Sequence, residues 1–233
     1  MPRVTRVYRA LQTANRNVQN RFRSTEAVFS DIVRLNKWGN EESLSGAGST
    51  VEATEAIREQ LPSLFRELGI RSLLDAPCGD FNWMRHVALD LDAYWGMDIV
   101  PAIVARNVQL YGNDRFHFLK GDLVKDPLPR ADVVMCRDCF NHLSYAAIAG
   151  ALRNFKRSGA SYALLTTDLN IGEAPDIVVG ESRSVNLQAA PLRLPPPLRL
   201  LFDGPRSQWS GADAPRSAWG RRLGLWRLSD LSV

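Results

Sequence analysis

The stretch Leu73-Leu74-Asp75-Ala76-Pro77-Cys78-Gly79-Asp80-Phe81 decides the reading of this 233-residue chain. A short apolar block ends in an acid, and a glycine-containing turn follows at once. The pattern predicts a buried strand over 71–76 that turns sharply into a helix. Glycine in such a turn lets the backbone approach a ligand, with helix N–H groups pointing at it.

Working outward, the same alternation repeats. Upstream, 50–68 spaces Val51, Ile57, Leu61, Leu64, Phe65 and Leu68 as a helical stripe. Ser49 or Thr50 is placed to cap it, and Gly69 to stop it. Downstream, strands are predicted over 93–98, 116–119, 131–136 and 161–167. Helices are predicted over 101–111, with Pro101 in the first turn, and over 144–155, capped by Ser144. Strands alternating with helices imply right-handed crossovers and an α/β fold around a parallel sheet, each short apolar strand being covered on both faces. Residues 169–197 carry no helical pattern. Two further strands, 198–202 and 223–228, read as an antiparallel hairpin that closes the sheet.

Ligands of such sheets bind beyond the carboxyl ends of the strands. Asp75, Asp98, Asp122, Asp138 and Asp168 all fall at or just after those ends. Asp98 lies 19 residues after Gly79, where a carboxylate can accept both hydroxyls of a ribose. Asp122 and the N–H of Leu123 are placed to read an adenine edge.

Composition sets the outer limits. No run approaches the roughly 18 apolar residues of a membrane span, and the N-terminus lacks a secretory apolar core. Three cysteines argue against a disulfide scaffold and for a reducing, cytoplasmic setting. The net charge of +4 is uneven: residues 1–23 hold six arginines and no acid, and 191–233 hold seven arginines against three aspartates. A nucleic-acid binder would put its basic surface on the folded body, so nucleic acid is the less expected partner. Val4, Val7, Tyr8, Leu11, Val18 and Phe22 lie at helical intervals, giving a basic helical arm or lid over 1–45 ahead of a main domain over 46–233.

The order of these motifs resembles the class I S-adenosylmethionine-dependent methyltransferases over roughly residues 40–230. Four stretches carry the resemblance: Leu73–Phe81, Tyr94–Asp98, Gly121–Asp122 and Asp132-Val133-Val134-Met135-Cys136-Arg137-Asp138. It implies a Rossmann-like, doubly wound, mainly parallel seven-stranded sheet with a C-terminal antiparallel hairpin, and S-adenosylmethionine as cofactor. Asp75, Cys78, Gly79, Asp98, Ile99, Asp122 and Leu123 are then its expected contacts. The first motif departs from the family's glycine-rich form, with Pro77 and Phe81 where glycines are common. A nicotinamide dehydrogenase would need G-x-G-x-x-G and would not place Asp80 beside a pyrophosphate, whereas a cationic sulfonium is helped by nearby acids.

The exit of the 131–136 strand, Arg137-Asp138-Cys139-Phe140-Asn141-His142, is the natural place for acceptor chemistry. It is not the N-P-P-Y motif associated with nucleobase amino groups. His142 is the candidate general base and Asp138 either orients it or acts itself, against the plainer reading that His142 packs the next helix. The expected acceptor is a small molecule or sugar, methylated at a hydroxyl. A nucleic-acid methyltransferase using the arginine-rich ends, or a non-catalytic cofactor-binding partner protein, are the alternatives. Asp138, Asp168 and Asn170 offer oxygens for Mg²⁺, but Leu169 interrupts the adjacent Asp-Asn of catechol-type relatives, so no metal is expected. Cys136 and Cys139 read as buried structural thiols. The Gly-containing segment 38–49 is a candidate lid, similar to segments that precede the first motif in some bacterial members. Asn82, Trp83 and Met84 are candidate pocket walls, and Trp209 and Trp219 candidate acceptor covers.

Overall fold

A computed structural model describes residues 20, 22–208 and 220–233. Positions 1–19 and 21 of the expected arm, and both Trp209 and Trp219, lie outside the described residues. The strands are β1 (Ser72–Asp75), β2 (Ala93–Asp98), β3 (Phe116–Lys120), β4 (Val133–Cys136), β5 (Tyr162–Asp168), β6 (Arg199–Phe202) and β7 (Arg221–Arg227). They form one seven-stranded sheet in the order β3-β2-β1-β4-β5-β7-β6. β1 to β5 pair in parallel, and β7 runs antiparallel to both β5 and β6. This is the Rossmann-like, doubly wound sheet with its terminal hairpin. The order reverses between β1 and β4, which opens a crevice above their carboxyl ends.

The central strands are apolar throughout because both faces are covered. Leu73, Val133, Met135 and Leu164 pack with Ile57, Leu61, Leu64 and Phe65 of α2 (Glu55–Leu68) and with Val104 of α3 (Pro101–Tyr111). Their neighbours Leu74, Val134, Cys136, Ala163 and Leu165 point the other way, against Ile148, Ala151, Leu152 and Phe155 of α4 (Tyr145–Arg157). Ser144 caps α4 through its side chain, which accepts the Ala147 N–H.

Three expectations change. The α2 stripe starts at Glu55 rather than Thr50, and neither Ser49 nor Thr50 caps it. Instead, Thr50 Oγ1 accepts the Ala53 N–H and Thr54 donates to the Thr50 carbonyl, so side chains tie this stretch into turns. The second change is at the first motif, where β1 is followed by no α-helix, only a three-residue 3₁₀ turn at Met84–His86. Phe81 takes φ +58°, a left-handed geometry that no right-handed helix can run through. Its ring is held by Tyr94, Tyr111, Phe116 and Phe118 at centroid distances of 5.0–5.9 Å. Such aromatic pairs are worth about 0.5–1.5 kcal/mol each, which offsets strain of about 1–3 kcal/mol. A left-handed turn is thus held at residue 81 without a glycine.

Third, within the helical arm expected over 1–45 the described helix is α1 (Thr25–Arg34), beyond the spaced residues Val4 to Phe22 that suggested the arm. Its signal was present: Ser24 accepts the Ala27 N–H as a cap, and Val28, Phe29, Ile32 and Val33 recur at helical spacing. Val28 and Ile32 are buried, and Glu26 pairs with Lys120 at the end of β3 at 2.7 Å. Among the described residues no helix is long and apolar enough to cross a membrane.

Candidate functional site

A cleft of about 1020 Å³, counting its open mouth, lies at the carboxyl ends of β1 to β4. All nine residues singled out from the sequence line it: Asp75, Cys78, Gly79, Asp98, Ile99, Asp122, Leu123, Asp138 and His142. Of the five strand-end acids, Asp168 is the one outside this lining. Its Oδ1 accepts the Asn170 N–H and its own N–H reaches the Val185 carbonyl. No group of three or more His, Cys, Asp or Glu able to hold a metal occurs among the described residues.

Gly79 is the pivot of the β1–β2 side. Its φ is +54°, and a Cβ there would lie 2.2 Å from Ser45 Oγ, so both backbone and space require glycine. Its N–H donates to Asp98 Oδ2 at 3.1 Å and its carbonyl accepts from Asn107 Nδ2 at 2.8 Å. Asp98 Oδ1 accepts the Val100 N–H at 2.9 Å. Each oxygen of Asp98 thus holds one backbone N–H and keeps a further lone pair. Burial pushes its carboxyl up to about 6, against the pull of those N–H groups. Asp75 accepts the Tyr94 hydroxyl at 2.7 Å, and burial raises it to about 7. Burial likewise raises the Cys78 thiol, so Cys78 is a wall and not a thiolate.

Asp122 is partly committed: its Oδ1 accepts the Val124 N–H at 2.9 Å, while its own N–H donates to Asp126. Asp80 fastens the 38–49 segment, accepting from Ser43 Oγ, the Leu44 N–H and Ser45 Oγ at 2.8–3.2 Å. Asn82 ties Glu42 and the Ser49 carbonyl to the same segment. Trp83 does wall the cleft, whereas Asn82 serves the segment and Met84 the core.

At the β4 exit the expected pairing of Asp138 with His142 is absent. His142 Nδ1 donates to the Glu181 carbonyl at 2.8 Å, which leaves Nε2 as acceptor, facing Asn141 Nδ2 at 3.1 Å. Burial lowers its pKa, so the ring is neutral near pH 7. Asp138 pairs instead with Arg221, a residue the sequence reading did not single out. Other lining residues missed there are Thr25, Phe29 and Val33 on one stripe of α1, and Arg137. Phe29, Trp38 and His142 form an aromatic wall with centroids 5.4–6.4 Å apart. Cys136 and Cys139 are free and buried.

This crevice is set at the reversal of a mainly parallel, Rossmann-like sheet. A family model described as "Methyltransferase domain" matches residues 74–162, the segment from β1 into β5. Over that segment the chain is similar to methyltransferase domains. No curated protein matches the sequence. Among solved structures, a bacterial CtHen1 methyltransferase domain is similar at 12% identity and TM-score 0.43, covering 49% of this chain and 66% of that one. A sugar N-methyltransferase from Streptoalloteichus is similar at 24% identity and TM-score 0.41, covering 51% and 49%. Human N-acetylserotonin methyltransferase, solved with S-adenosylmethionine, is similar at 13% identity and TM-score 0.45, covering 73% and 54%. The chain spans just under two thirds of the first of these and about half of the others. The acceptors named for those proteins are theirs.

The residues present fit the family's cofactor. Two buried carboxyls with raised pKa and no hydrogen-bonded cation face the donor side, which favours a positively charged ligand. The same acids oppose a pyrophosphate.

Proposed function

We propose that the chain transfers a methyl group from S-adenosylmethionine to a small-molecule or sugar acceptor, at a hydroxyl. The single observation that carries this is the shared lining of the cleft: Gly79 and Asp98 bonded to each other on the donor side, Asp138 and His142 on the β4 side.

When bound, the sulfonium supplies an activated methyl for in-line displacement. The chain's own work is to hold, align and exclude water. In this reading Asp98 accepts the ribose hydroxyls through its remaining lone pairs, and Ile99 and Leu123 flank the base. Asp122 reads the base edge, while Asp75 and the turn 78–79 face the charged end. Helix α1, with Trp38, acts as a lid that shields the site. Asp138, and His142 Nε2 once released from Asn141 Nδ2, are the groups able to take a proton from an acceptor hydroxyl.

The test is transfer of labelled methyl from S-adenosylmethionine to panels of alcohols, sugars, amines and polynucleotides. Label in a small alcohol or sugar is the expected result. Label only in polynucleotide, with binding that falls steeply with salt, would overturn the acceptor assignment.

A further inference from the structure

The β4 side of the cleft is built on a quartet of charges, Arg137 and Asp203 buried and Asp138 and Arg221 partly so, of which the reading above gives only Asp138 a role. Beyond β4, Arg137 turns inward. Its Nε and Nη2 donate to Asp203 Oδ1 at 3.1 and 2.7 Å, Nη2 also reaches the Gly48 carbonyl at 2.8 Å, and the guanidinium lies 5.1 Å over the Trp83 ring. Asp203 is fully buried; burial alone would raise its carboxyl, but Arg137 and Arg221 hold it below the ordinary carboxylate value. Arg221, the first residue of β7, donates from Nε to the Asp203 carbonyl at 3.3 Å and from Nη1 to Asp138 Oδ2 at 2.9 Å.

Asp138 itself sits at φ +51°, its N–H held by Thr166 Oγ1 at 2.9 Å. Every contact of its carboxylate runs through one oxygen. Oδ2 takes Arg221 and lies 3.5 Å from Arg137 Nη1; Oδ1 accepts no hydrogen bond from the described residues. Gly48 covers the anchored oxygen, since a Cβ there would lie 2.7 Å from Oδ2 and 3.2 Å from Arg221 Nη1. A carboxylate fixed at one oxygen and open at the other, on a cleft wall, is set to receive a hydrogen bond from a ligand.

We propose that Arg221 is a positioning residue that fixes Asp138 with Oδ1 toward the methyl-transfer end, so that the acceptor enters as a neutral or protonated hydrogen-bond donor, an alcohol or amine, and not as an anion. This rests on the donor reading above. Both arginines are committed to carboxylates, so the group left open to an acceptor is the second oxygen of Asp138. An alcohol held there forms its new O–C bond as the C–S bond breaks. The electron pair goes to sulfur, which becomes a neutral thioether, and the hydroxyl proton passes to Asp138 Oδ1.

The test uses two donor analogues: S-adenosylhomocysteine, and sinefungin, which places an ammonium where the methylsulfonium sits. The readout is the ratio of their affinities at pH 7.5, which cancels effects common to both. Wild type is expected to prefer sinefungin, and Asp138→Asn to lower that preference about tenfold, as expected for loss of a charge-assisted contact. Arg221→Gln, which frees Asp138 to turn toward Arg137, lowers it about fivefold, and Arg221→Lys recovers part of the loss by restoring the charge without the fork. An unchanged ratio in Asp138→Asn overturns the placement of Oδ1. An unchanged or increased preference in Arg221→Gln shows that Arg221 only screens charge, and overturns its positioning role. Failure of wild type to bind either analogue sinks the donor reading itself, a result distinct from both.

Discussion

Asp98 and Asp138 stand at corresponding places, each at or just past the end of a parallel strand and each on the wall of the same cleft. Their surroundings are opposite. Asp98 is bonded only to backbone N–H groups and, like Asp75 beside it, is pushed toward its neutral form by burial. Asp138 is held by two arginines that are themselves shared with Asp203. The donor half is therefore a negative site lacking its counter-charge, and the acceptor half is already balanced. A cationic ligand completes the first, whereas the second is a scaffold whose charges must stay paired whether or not a ligand is bound.

The largest test of that contrast is on the balanced side. Asp203→Ala removes the carboxylate shared by Arg137 and Arg221, and breaking a buried pair from one side costs about 3–5 kcal/mol. Chemical denaturation is expected to show that loss of stability. On the donor side the main effect falls on binding: Asp98→Ala should weaken S-adenosylhomocysteine by about 1–3 kcal/mol by calorimetry, through lost charge-assisted hydrogen bonds. Equal affinity would remove Asp98 from the site.

Acidity sharpens the comparison next. A carboxyl whose pKa is raised by folding favours the fold as the neutral acid. The contribution is complete below the ordinary 3.8 and is lost as pH rises through about 6 for Asp98 and about 7 for Asp75. Binding of a ligand that needs the carboxylate runs the other way. Donor affinity is expected to fall as pH drops through about 7, where Asp75 takes up its proton, and more steeply below about 6, where Asp98 does too, which titration across pH 5–8 would measure. The smallest effect is Asp75→Asn, which keeps an acceptor for Tyr94 and removes the buried charge. At pH 8 it should stabilise the ligand-free protein by roughly 1 kcal/mol while weakening the donor. A loss of stability would mean that the charge is already compensated.

The fold was largely legible because the strands read as short apolar blocks and the helices as stripes with caps, as at Ser144 and Pro101. The residues that line the cleft at β1 to β3 were legible for the same reason, since strand ends place them. The helix expected after β1 was not forthcoming, because a left-handed Phe81 is fixed by rings from α3, β2 and β3, and no local pattern records such packing. The partner of Asp138 was missed because Arg221 is 83 residues away and approaches only through the antiparallel pairing of β7 with β5. His142 was paired with Asp138 by proximity in sequence. In space the Glu181 carbonyl, from a segment without periodicity, takes its Nδ1–H. Contacts local in sequence were readable, and contacts made by distant loops were not.

The central claim is that the donor half is a negative cradle for a positively charged nucleoside. Titrating the wild-type protein with S-adenosylmethionine at pH 7.5, alone and against excess ATP, tests it most directly. Saturable one-site binding that ATP does not displace is the predicted result; no binding, or displacement by the triphosphate, would contradict it.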